Sequence, residues 1–283
     1  MRRSIHVTAS LILCFVLFLH PASTRAQEVE DEREFDYAEG SEKGPRRWGE
    51  LKKEWAACSN GDMQSPIDMS HERVKIITRH HHERKHYKPA NATVRNRGHD
   101  IAIEWHGDAG SVIINGTDYF LKSAHWHSPS EHTINGRRYD LELHMVHQNT
   151  DKNLTNQIAV IGVLYKIGKP DAFLSKLMRN ISSMIDRDVE KELGMFDPSD
   201  IKMRSKRHYR YMGSLTVPPC TEGVIWTINK KVKTASRKQI KLLREAVHDY
   251  AERNARPLQA RNRREIYLLS PAGKNERKRP TLL

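Results

Sequence analysis

Residues 121–147 read LKSAHWHSPSEHTINGRRYDLELHMVH, and five of these 27 positions are histidine. Successive side chains of a β-strand point to opposite faces, so residues two apart share one. His125 and His127 therefore look the same way, with Trp126 between them facing the other. On the returning segment Glu142, His144 and Val146 form one face, while Leu141, Leu143, Met145 and His147 form the other. Asn135-Gly136 between the runs is a strong hairpin signal, because both residues accept the positive φ of a tight reversing turn. Pairing the runs brings His125, His127 and His144 onto one patch of sheet. Three neutral nitrogens with a fourth position open are the ligand set of a catalytic zinc site rather than a structural one. Any one of these histidines alone reads as an ordinary surface residue. The three together, with a carboxylate two residues before the third, read as metal ligands.

The rest of the chain sets the compartment. Arg2 and Arg3 precede the apolar run Leu11–Leu19, and small residues follow up to Thr24-Arg25-Ala26. That is the pattern of a secretory signal peptide over residues 1–26, too short for a membrane span. No later segment is apolar enough to cross a membrane. Removal at Ala26 lowers the formal charge from +13 to +10 and takes Cys14 away, leaving Cys58 and Cys220. In an oxidising compartment two remaining cysteines most simply form one disulfide, which over so long a loop stabilises by about 3–5 kcal/mol. Four sequons agree with secretion, at Asn91, Asn115, Asn153 and Asn180.

Beyond a short segment 27–34, the chain shows neither an internal repeat nor a Gly/Ser linker, and all-β folds of this length are commonly undivided. Short β-type runs recur at 100–105, 111–114, 159–165 and 224–228. Helical spacing follows Pro170, with Phe173, Leu174, Leu177, Met178 and Ile181. A second helix opens with Ser236 as N-cap and Gln239 three residues on, followed by a stripe of Ile240, Leu243, Val247 and Tyr250. The expectation is a mainly β (α+β) domain over 35–269, built on a large, mostly antiparallel sheet with short peripheral helices. The polar, basic tail 270–283 is expected to be disordered.

The positive charge excludes less than it suggests. Lysine and arginine are scattered, with no recognition motif and no interleaved stacking aromatics, so a nucleic-acid partner is not expected. An acidic glycan or wall matrix is the better polyanion for a secreted chain of this balance. The tract from Arg79 to His86 (RHHHERKH) reads as a solvated loop, since a histidine run alone fixes no coordination geometry. Neither a CxxC pair nor a flavin motif supports redox chemistry, and nothing selects monomer or dimer.

Taken in order, His125-Trp126-His127, Ser130-Glu131-His132-Thr133 and Glu142-Leu143-His144-Met145-Val146-His147 resemble the alpha-class carbonic anhydrases. The resemblance runs from about Phe35 to Tyr267. It includes Gln64-Ser65-Pro66-Ile67-Asp68, Asn96-Arg97-Gly98-His99, Gly213-Ser214-Leu215-Thr216, Pro218-Pro219-Cys220 and Asn254-Ala255-Arg256-Pro257. Details such as Trp-His-Ser-Pro-Ser-Glu-His are similar to the secreted plant branch, which includes nectar and tuber storage proteins. What the resemblance implies is one domain with zinc at the bottom of a conical cleft, hydrating CO2 to bicarbonate. A catalytically weak storage protein of the same fold, with a redox side activity, is the competing implication. Members without catalysis typically lack a zinc ligand, and all three are present here.

The resemblance also assigns roles. Thr216 is expected to orient the attacking hydroxide and to donate its own proton to Glu131. Glu142 is expected to hold the third imidazole, as outer-shell carboxylates do for zinc histidines. Val146, Val160, Leu215 and Trp226 form the apolar wall for CO2, and His99 matches the position that passes protons to buffer, a task suited to an imidazole. Two positions depart from the family pattern: Ser123 stands where glutamine usually supports the first ligand, and Val217 where a threonine often helps hold bicarbonate. Both bear on rate and metal affinity rather than on reaction type.

Overall fold

Alternation of apolar and polar residues makes strands here, and the computed structural model places them in one 13-stranded sheet. It describes residues 34–78, 84–203 and 205–271. The signal segment 1–26, most of 27–34, residues 79–83 of the histidine tract and the tail beyond 271 lie outside the described residues. The main path runs Val74–Thr78, Ile266–Ser270, His208–Ser214, Glu222–Asn229, Ile158–Ile167, Leu141–Gln148, Thr117–His127, Ile101–His106, Ala90–Asn96, Glu190–Phe196. Pairing is antiparallel except where Val74–Thr78 joins Ile266–Ser270, and where Ile158–Ile167 joins Glu222–Asn229 and Lys233–Ala235. The mostly antiparallel sheet expected from the sequence is therefore present, and so are the four β-type runs and both helices. Ser270 belongs to the last strand, so the domain continues one residue past the expected boundary.

The sheet separates two apolar clusters. Ile161, Val163 and Tyr165 point into the larger one, which also takes the helix Ala172–Ser182 through Phe173, Leu174, Leu177 and Ile181. Burying each such side chain contributes about 1.5–3 kcal/mol, which fixes the face that this helix presents. Asp171 caps the helix by accepting from Leu174 N at 3.0 Å. The capping box at Ser236 and Gln239 forms as expected, and the helix ends at Ala246. Tyr250 therefore falls beyond it, in a short turn. Val160, Leu164, Trp226 and Ile228 point the other way, into the smaller cluster, the face that carries the histidines.

Cys58 and Cys220 are bonded, with Cα atoms 5.0 Å apart and a sequence separation of 162. The bond ties the helix Ala57–Asn60 to the loop that follows the strand His208–Ser214. That loop is closed by Leu215 N donating to Thr221 O and Cys220 N to Val217 O, both at 2.9 Å. Replacing both cysteines by serine should lower stability by roughly 3–5 kcal/mol, since the cross-link acts mainly on the unfolded chain. Urea denaturation of the two forms checks this, and equal midpoints would contradict it. No helix among the described residues is long and apolar enough to cross a membrane.

Candidate metal centre

The two histidine strands pair in the register that the alternation demands. His125 stands opposite His144, His127 opposite Glu142, and Ser123 opposite Val146. A one-residue slip between Leu121 and Ser123 resets the strand, so that Ser123, His125 and His127 share the face of Val146, His144 and Glu142. The Asn135-Gly136 turn closes a separate small hairpin, Thr133–Ile134 with Arg137–Arg138, within the connection rather than joining the long strands directly. Both turn residues have positive φ, 51° and 73°, as that reversal requires.

One ring nitrogen from each of His125, His127 and His144 lies within 4.8 Å of the others, and all three residues are buried. Two of the three opposite nitrogens are held by hydrogen bonds. His127 Nδ1 donates to the carbonyl of Asn254 at 2.7 Å, which leaves Nε2 directed inward with no hydrogen-bond partner. His144 Nε2 donates to Glu142 Oε1 at 2.9 Å. Three converging imidazole nitrogens, one of them buried and unpaired, fit a divalent cation of zinc's preference. Ser123 is half-buried, two residues before His125 on the same strand and opposite Val146.

Glu142 is the hub beneath the third imidazole. Its Oε2 accepts from the backbone N–H groups of Glu131 and His132, both at 2.8 Å. Its Oε1 accepts from His132 Nδ1 at 2.7 Å as well as from His144. Burial opposes its charge, but His132 and His144 outweigh that and hold the carboxyl well below its usual range. Donation from Nδ1 leaves His132 Nε2 to accept from the Tyr211 hydroxyl at 2.7 Å, and that hydroxyl pairs with Ser65 Oγ at 2.8 Å. Burial pushes the Tyr211 phenol up, so it stays protonated. Gly162, cross-strand from His144, leaves the space this network needs, since a Cβ there would come within 3.1 Å of Glu142 Oε1.

Burial dominates the basicity of His125, which is pushed well below its ordinary value. His127 feels the same burial, but the charge of Glu131 and the Asn254 carbonyl reverse the sign and raise it. Glu131 is fully buried. Its Oε1 accepts from Arg256 N at 2.9 Å, while Oε2 has no hydrogen-bond partner and lies 3.7 Å from His127 Nε2. The expected bond from Thr216 to Glu131 is thus not formed in this conformation.

The remaining assigned residues divide. Val160, Leu215 and Trp226 belong to the smaller cluster with half-buried Val146 against it, and the Trp226 ring meets His144 edge-on at 4.8 Å. Val217 packs instead in the larger cluster that holds Cys58 and Cys220. His99 is the clearest departure. It has no exposed surface, its ring lies 5.2 Å from that of Phe35, and Nε2 is 3.7 Å from Asp100 Oδ2. A carrier to bulk buffer must reach solvent, and His99 in this position does not. Its turn is fixed by Gly98 at φ 77°, by Gly98 N on Asn96 Oδ1, and by the buried pair Arg97–Asp100. Among the sequons, Asn91, Asn115 and Asn153 are exposed and Asn180 is half-buried on a helix.

Sequence reasoning missed His132, Tyr211 and Ser65 as supports, and gave Asn254 and Arg256 no role. Arg256 is buried, with Nη1 on Gln64 Oε1 and Ser65 O and Nη2 on Cys58 O, each at 2.8 Å. His132 carried a local signal, as a second imidazole next to Glu131. The other four act from distant parts of the chain.

With this geometry in hand, the comparisons are specific. The eukaryotic-type carbonic anhydrase family matches residues 43–270. Carbonic anhydrase Nec1 of Nesocodon mauritianus is 54% identical over 269 residues, covering 95% of this chain and 96% of that one. Alpha carbonic anhydrase 7 of Arabidopsis thaliana is 51% identical over 257 residues, 90% of this chain and 92% of that one. Among solved structures, dioscorin complexed with ascorbate superposes with a TM-score of 0.81 at 42% identity, covering 85% of this chain and 99% of that one. The alpha-carbonic anhydrase of Thermovibrio ammonificans, in complex with the inhibitor sulfanilamide, gives 0.72 at 34% identity, covering 82% of this chain and 98% of that one. The chain belongs to the eukaryotic-type carbonic anhydrases, enzymes that hydrate CO2 reversibly to bicarbonate and a proton.

Proposed function

We propose that His125, His127 and His144 hold one zinc ion and that this centre carries the chain's carbon dioxide hydration. The observation that supports it most is the convergence of three buried ring nitrogens within 4.8 Å, all on one face of two paired strands. When bound there, zinc supplies a Lewis acid that lowers the pKa of coordinated water to about 7. The protein's own groups do the rest. Glu142 and the Asn254 carbonyl hold two imidazoles in one tautomer and one orientation, so that the inward nitrogen stays unprotonated. Val146, Val160, Leu215 and Trp226 offer an apolar wall to an uncharged substrate. Thr216 orients the nucleophile and uses Glu131 as its acceptor, which requires Glu131 Oε2 to turn from His127 toward the hydroxyl.

The proton leaves by way of His99, after its ring has moved out from beneath Phe35. His99→Ala should lower kcat severalfold in dilute buffer, leave kcat/KM for CO2 nearly unchanged, and recover with added imidazole buffer. Thr216→Ala should lower both parameters with no rescue. Stopped-flow hydration measures all four values, and equal losses of kcat/KM in the two variants would overturn the division of roles.

The chain is secreted, with residues 1–26 removed. The Cys58–Cys220 bond, at home in an oxidising compartment, supports this. Asn115 at a hairpin tip and Asn153 in an exposed loop are the most accessible glycan acceptors. Glycopeptide mass spectrometry should find sugar at these before Asn180, whose helix presents it half-buried.

A further inference from the structure

The register places Val163 and Asn229 on the face of the sheet opposite the histidines. Val160, Gly162 and Leu164 stand across from Val146, His144 and Glu142, and Val163 points the other way. Ile161 stands beside Thr227 on the neighbouring strand, so Asn229 shares the orientation of Val163. Here lies a groove of about 350 Å³ that carbon dioxide hydration leaves unused.

Two features of its wall are unbalanced. Asn229 is only 2% exposed, its Nδ2 is closed to solvent, and that nitrogen makes no hydrogen bond among the described residues. A buried donor without a partner loses its hydration and receives nothing in return, so native structures rarely keep one without cause. The charges are uneven as well. Lys233 is neutralised by Asp171 at 2.7 Å and Asp200 by Lys176 at 2.5 Å, but Lys202 and Lys231 have no carboxylate partner among the described residues. Phe173, Met203 and Val232 give the same groove an apolar side.

We propose that this groove binds a small organic carboxylate with an apolar body. The Asn229 side chain turns to present Nδ2 to the groove, where the carboxylate accepts a hydrogen bond from it and meets the ammonium groups of Lys202 and Lys231, while the body lies against Phe173, Met203 and Val232. Single negative charge fits the balance better than a phosphate dianion, since Asp171 and Asp200 also line the groove. The volume sits at the small end of ligand pockets, roughly 300–1,000 Å³. The site is separate from the histidine centre and does not depend on the metal assignment.

The test is a titration of zinc-loaded protein with 3-phenylpropionate, followed by 1H–15N NMR, with sulfanilamide present to occupy the histidine centre. Saturable binding should shift the Asn229 side-chain amide resonances. Asn229→Leu should weaken affinity at least fivefold, as should the double variant Lys202→Gln/Lys231→Gln, whose surface changes leave folding intact. The uncharged 3-phenylpropanamide should bind at least fivefold more weakly. No saturable binding, binding that both variants retain, or binding seen only without sulfanilamide would each overturn the proposal.

Discussion

His144→Ala should leave purified protein with little zinc and with CO2 hydration near the uncatalysed background, while the domain still folds. Losing an outer-shell partner of a zinc histidine costs about 10–100-fold in affinity or activity, and losing a ligand outright must cost more. The fold should survive because Glu142 is not stranded: it keeps the backbone donors of Glu131 and His132 and the His132 ring. His125→Ala and His127→Ala should behave alike, whereas Glu142→Gln should fall in the intermediate range. Metal content by mass spectrometry, hydration by stopped flow and circular dichroism on one preparation separate these outcomes. Stoichiometric zinc with full activity in His144→Ala would contradict the ligand set.

A single substitution at Arg97 should cost as much stability as losing the disulfide. Its guanidinium grips Asp100 through Nε to Oδ1 at 2.8 Å and Nη2 to Oδ2 at 2.6 Å, with both residues buried. Burial alone would raise the Asp100 carboxyl, but the charge of Arg97 outweighs it and holds the group far below the carboxylate range. Arg97→Ala strands a buried charge, a loss of roughly 3–5 kcal/mol. At about 2–4 °C per kcal/mol for a domain of this size, Tm should fall by roughly 6–20 °C near neutral pH. The sign with pH follows. In the wild type the depressed carboxyl contributes stability above its unfolded pKa of about 3.9, and that contribution is lost as pH falls below it. In Arg97→Ala burial acts unopposed by arginine, so acidification protonates Asp100 and narrows the gap to wild type. Thermal melts at neutral pH and near pH 5 test this, and a variant within 2 °C of wild type at neutral pH would refute it.

The histidine patch was legible because strand periodicity is local: three positions and one carboxylate, read at period two, specify one face. The capping box at Ser236 and the turn at Asn135-Gly136 were legible for the same reason. What could not be read acts across the chain. Asn254, Arg256 and Tyr211 reach His127, Glu131 and His132 over separations of 127, 125 and 79 residues, and no spacing rule connects them. Short apolar runs mark Ile158–Ile167 and Glu222–Asn229 as strands but do not reveal that they pair in parallel. The burial of His99 depends on Phe35, 64 positions earlier, so a lone histidine after a glycine gave no warning of it. Likewise the edge strand Glu190–Phe196 has too little apolar contrast to declare itself.

The most direct measurement is zinc content and CO2 hydration determined on the same purified wild-type sample, before and after chelation and again after zinc is restored. One zinc per chain is expected, with hydration that falls in proportion to metal removed and returns with it. Hydration that persists at full rate without zinc, or one bound zinc per chain with no hydration, would contradict the assignment of the reaction to the His125, His127 and His144 centre.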